Sequence, residues 1–128
     1  VSKTTSKLDF EYFSKKVRYY IKQFGLSDYE IVLIHKDLED EGEPLSNSTA
    51  GVKMNANSKS ATFYLNKDWG DGELDRKALE RAAIHEVGHI LLCDYYWCAA
   101  TRFGITSEQI GGVEHAIIRR LENFILRT

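Results

Sequence analysis

The stretch AAIHEVGHILL, residues 82–92, constrains this chain more than any other feature. Its aliphatic residues recur at helical spacing. With Leu74, Ala78 and Leu79 ahead of them they make a broad apolar face that is satisfied only by burial against other elements. Within the same stretch stand His85 and His89, four positions apart, with Glu86 after the first. The chain has 128 residues and four histidines, so half of its histidines fall in one turn. Three ionisable groups in one turn of a core-facing helix are costly unless something binds them.

A metal ion is the simplest partner. Residues four apart lie on one helix face, roughly 6 Å from each other, so two imidazoles can hold one zinc ion from one side. The residue after the first histidine projects about 100° away. A carboxylate there can accept a proton from water at the metal, which is the mechanical content of H-E-x-x-H. Gly88 adds to the case. Glycine inside a helix costs up to about 1 kcal/mol against alanine, so the close approach of a strand or helix is expected there.

The rest of the chain reads as one domain, 1–128, with a polar tail at 1–7. Apolar residues at Leu8, Tyr12, Phe13, Val17, Tyr20, Ile21 and Phe24 predict a first helix that stops at Gly25. YEIVLIH (29–35) reads as a strand, and KDLEDEGEPLSNS as an acidic loop holding the only proline. TAGVKMNANS and SATFYLN (60–66) read as a hairpin. A long helix is expected from about Leu74 to Leu92, a loop through WCAATRFGI, and a last helix from Ser107 to Leu126. Strands grouped ahead of two helices make the class α+β, with a small, largely antiparallel three-stranded sheet on the helices.

A catalytic zinc takes three protein ligands. Leu92 and Tyr95 stand where the extended H-E-x-x-H-x-x-G-x-x-H pattern has its glycine and third histidine, so the third ligand must come from further along. In the last helix Ile110, Ile117, Ile118, Leu121 and Ile125 form an apolar stripe, and Glu114 falls in its middle. A glutamate on a core-facing stripe is unexpected unless it is paired or metal-bound. Glu114 is therefore the expected third ligand. His115, on the flank, is the rival ligand or a donor to the substrate carbonyl, with Arg119, Tyr95 and Tyr96 as other donors. Cys93 and Cys98 read as buried structural cysteines, and Trp69 and Trp97 as packing groups beside the active helix.

HEVGH followed by a helix carrying a glutamate, all after a small sheet, resembles the zincin metallopeptidases, and within them the gluzincins. The compact element order is similar to the minigluzincins, to the ImmA/IrrE and SprT-like peptidase domains, and to small zincin-like proteins of phages and prophages. The resemblance spans roughly residues 8–126 in layout, with HEVGH its one specific motif. It implies a Zn2+-dependent peptidase with His85 and His89 as ligands and Glu86 as general base. It implies Glu114 as the third ligand, although Ile118 stands where gluzincins carry a small or acidic residue; SprT-like domains use a third histidine, which keeps His115 in play. It also implies that 60–66 is the strand nearest the cleft, holding a peptide substrate by main-chain hydrogen bonds. The alternative is a zinc-binding regulatory or interaction protein on the same scaffold.

Composition narrows the partners. The net charge is −2, without the basic excess that nucleic-acid binding needs. No apolar run approaches a membrane span, and VSKTTSK lacks the apolar core of a secretory signal. Two cysteines are too few for a disulfide scaffold, so a reducing cytoplasm is expected.

Overall fold

The computed structural model describes residues 2–43, 45–100 and 106–127, with the side chains of 98–100 and 127 left out. The Cys98 side chain and the 101–105 part of the expected loop therefore lie outside what the structure describes. The order is β1 (Lys3–Thr4), α1 (Lys7–Gln23), β2 (Glu30–Lys36), β3 (Ala50–Asn55), β4 (Ser60–Asn66), β5 (Asp68–Gly70), α2 (Arg76–Leu91), α3 (Cys93–Ala100) and α4 (Ser107–Arg127). This is a small α+β domain: the described residues form four α-helices with one three-stranded and one two-stranded sheet.

α1 starts where its sequence supplies a reciprocal cap. The Ser6 hydroxyl accepts from the Asp9 N–H, and the Asp9 carboxylate accepts from the Ser6 N–H. It stops where Gly25 adopts φ 71°. That left-handed residue lets the Leu26 N–H reach the Ile21 carbonyl at 2.9 Å and the Gly25 N–H reach Lys22 at 3.1 Å. The turn drops Leu26 into the core. Phe13, Val17 and Ile21 of α1 then meet Ala61, Phe63 and Leu65 of β4 and Leu79, Ala83, Val87 and Ile90 of α2.

The three-stranded sheet has the order β2-β4-β3. β3 and β4 form the expected antiparallel hairpin, whose turn is set by Asn55 accepting from Asn57 and Ser58 N–H groups. β2 pairs with β4 in parallel. β4 is therefore the central strand, and residues 63–66 are all buried. This corrects the expectation that 60–66 receives a peptide: both of its backbone edges are already hydrogen-bonded. Among the described residues the sheet edge that borders α2 is β3.

The far face of the sheet carries its own small cluster of Leu38, Leu45 and Tyr64. The acidic loop lies there, with Glu41 bridging Lys36 at 3.1 Å and Lys53 at 3.6 Å. Gly51 admits Leu45: a β-carbon at 51 would stand 2.0 Å from a Leu45 methyl. Asn66 ties the loop down. Its amide accepts from Leu38 and Asp68 N–H groups and donates to the Ser48 carbonyl.

Three further expectations change. Residues 3–4 are not a tail but a strand paired with β5, and Thr5 is buried, its hydroxyl donating to the Asn66 carbonyl and meeting His35 Nε2 at 2.8 Å. The helix resumes after Leu92, so the expected loop is α3 as far as Ala100. And α4 docks through a different face. Ile117 is buried, Val113 and Phe124 pack on the core, and the Phe124 ring lies 5.1 Å from Phe24 and 6.4 Å from Tyr20. Ile110, Ile118, Leu121 and Ile125 stay exposed. No helix among the described residues is long and apolar enough to cross a membrane.

Candidate metal centre

α2 positions the centre. Asp75 caps it, accepting from the Ala78 N–H at 2.8 Å. Its buried side carries Leu79, Ala83, Val87 and Ile90 and faces α1 and the sheet. The spacing then dictates the rest: His85 and His89 fall on the open side of the helix and Glu86 turns inward.

The two imidazoles lie with ring centroids 5.0 Å apart and planes at 80°. Both side chains are exposed, while Glu86 is only 8 % exposed. Among the described residues no donor hydrogen-bonds its carboxylate. Burial pushes the Glu86 carboxyl above its ordinary pKa, and the positive charge of His85 and His89 when protonated works in the opposite direction. Glu86 is thus a mostly buried acid, its pKa raised by that burial, beside two potential metal ligands.

His85 and Glu86 line a cleft of about 670 Å³. Ala78, Arg81 and Ala82 extend that lining along α2; Ser48, Thr49 and Ala50, where the chain enters β3, and Trp69 of β5 also line it. Trp69 is buried and its indole N–H donates to the Glu73 carbonyl at 3.0 Å. Trp69 thus packs as expected; Trp97 is half exposed. Cys93 is buried, as expected for a structural thiol.

α4 does not bring its candidates to this pair. Glu114 is exposed rather than buried, because the docked face is Val113, Ile117 and Phe124 and position 114 lies outside it. His115 is also exposed, with Nδ1 3.3 Å from the Gly111 carbonyl of its own helix. Tyr95, Tyr96 and Arg119 are exposed too, and none of the five lines the cleft. Among the described residues no three His, Cys, Asp or Glu side chains gather as a metal-holding group. Nor does anything press on Gly88, where an added β-carbon would meet no atom within 4 Å. Among the described residues the expected close neighbour of Gly88 is absent.

Sequence reasoning overlooked Arg81 and the wall at Ser48 to Ala50. Arg81 was readable, because it stands four residues before His85 and so shares its face. The wall was not, since it depends on which strand borders α2. Compared with protein-family models, curated proteins and solved structures, the chain matches none.

Proposed function

We propose that the chain is a zinc-dependent peptidase, with His85 and His89 as metal ligands and Glu86 as general base. One observation carries the reading. A single turn of α2 presents two imidazoles 5.0 Å apart on its open side and the mostly buried Glu86 at the cleft beside them. The pair suits zinc: at Zn–N distances of about 2.0–2.1 Å and tetrahedral angles, two ring centroids stand roughly 5 Å apart. When bound, zinc would supply Lewis acidity toward a water and a scissile carbonyl. The chain's own residues handle protons and position the substrate. Glu86 takes the proton of the attacking water at a carboxylate oxygen and returns it to the departing amine. Across the cleft the outer edge of β3 offers N–H and C=O groups to an extended peptide.

Glu114 is the residue to test as third ligand, with His115 as its rival. A second reading, a zinc-binding regulatory or interaction protein with little hydrolysis, is favoured by the separation of both from the histidine pair. Zinc stoichiometry and peptide turnover on His85→Ala, Glu86→Gln, Glu114→Ala and His115→Ala decide between them. The peptidase reading expects zinc lost in His85→Ala, and zinc kept but turnover lost in Glu86→Gln. Full zinc content in His85→Ala would remove both readings, and zinc binding without turnover by the unsubstituted chain would leave the second.

A further inference from the structure

The cleft carries a charge pattern of its own. Arg81 stands four residues before His85 and Lys77 a further four, and both line the cleft on that side of α2. Each step of four is about 6 Å along the helix axis. Neither side chain has an ion-pair or hydrogen-bond partner among the described residues. Besides Glu86, the carboxylates that line the cleft are Glu73 and Asp75, which lie beyond the start of α2, and Asp75 is engaged as its N-cap. The residues lining the cleft from the β3 side carry no charge. Arg81 and Lys77 therefore stand along α2 between Glu86 at the histidine end and Glu73 and Asp75 at the far end.

An extended peptide advances about 3.3 Å per residue. With one carbonyl at His85 and Glu86, a peptide running along α2 brings the side chain about two residues away alongside Arg81. We infer that this is an acidic subsite: the cleft selects peptides with Asp or Glu about two residues from the bond presented to Glu86. Arg81 is the contact, and Lys77 strengthens the same field from one turn further on. The inference rests on the peptidase reading for where the bond lies, but charge selection is a binding property that can be measured without turnover.

The test uses the full chain carrying Glu86→Gln, so that nothing is cut, and labelled peptides that differ only by Asp, Asn or Lys at that position. Fluorescence anisotropy is expected to give Asp about two- to fivefold tighter binding than Asn, as for an exposed ion pair, with Lys weakest. The difference should shrink in high salt, and adding Arg81→Glu should reverse the order. Equal binding of the three, no binding of any, or an unchanged order with Arg81→Glu overturns the subsite. Cleavage of a peptide library by the zinc-loaded chain separates the two ideas. Cuts enriched for acidic residues two positions away support both. Cuts without charge preference overturn the subsite alone. Charge-selective binding without any cutting supports the subsite and removes the peptidase reading.

Discussion

Gly88 lies inside α2, one residue before His89, and a β-carbon there would meet nothing within 4 Å. Gly88→Ala therefore adds a methyl group without a clash and removes conformational freedom from the unfolded chain. The expected gain is the helix-propensity difference, about 0.8–1.0 kcal/mol. At an unfolding entropy of about 2.1 cal/mol/K per residue, a chain of 128 residues converts that to a rise of about 3–4 °C in Tm. Thermal unfolding followed by circular dichroism, with metal chelated so that binding does not contribute, measures it. An unchanged or lower Tm would refute the reasoning, because it would mean that the position is filled or the helix strained there. Repeating the melt with zinc extends the test. If the bare position leaves room for what binds beside the imidazoles, the variant gains stability while turnover falls.

Glu86→Gln is expected to lower peptide turnover by about 10²–10⁴-fold, the usual worth of a general base, as read by product release at saturating zinc. Asn66→Ala strands the Leu38 and Asp68 N–H groups and the Ser48 carbonyl, and is expected to cost about 2–4 kcal/mol in urea unfolding; a loss under 1 kcal/mol would mean that water replaces the amide. Burial and the nearby Lys67 charge hold His35 below its usual 6.5. The unfolded chain then binds more protons below about pH 6.5, so stability should fall as pH drops through that value, and His35→Gln should flatten this acid limb. Asp75→Ala removes the cap of α2 and is expected to cost about 0.5–2 kcal/mol, seen as a lower urea midpoint.

α2 and α1 could be read from the chain because their determinants are local: a 3.6-residue apolar period, a Ser6–Asp9 capping box and a glycine where φ must be positive. The hairpin of β3 and β4 was legible too, but the order of the strands is a long-range property, and the resemblance put the open strand at 60–66, which β2 covers. Yet one local sign of the central strand was present. TFYL in 62–65 is nearly continuous in its apolar character, as a strand covered on both faces tends to be. α4 shows a different limit. Its sequence offers two apolar stripes, one through Ile110, Ile118 and Ile125 and one through Val113, Ile117 and Phe124. Which one docks is decided by the aromatic pocket of Tyr20 and Phe24 at the end of α1. Glu114 lies on the stripe that was left outside, so its burial could not be inferred from period alone. The histidine pair and Glu86 lie within one turn, and helix geometry alone fixes their relation.

The pairing of β1 with β5 has a mechanical consequence. Residues 3 and 70 face each other across the ladder, and Trp69 between β5's ends lines the cleft. A load applied ahead of Lys3 reaches the cleft wall through that ladder before it is spread along α1. Removing residues 2–5 would also withdraw the Thr5 hydroxyl from the Asn66 carbonyl and His35. A fusion or surface anchor at the front of the chain is thus coupled to the opening beside His85. One attached beyond α4 pulls on a helix that takes no part in lining that opening.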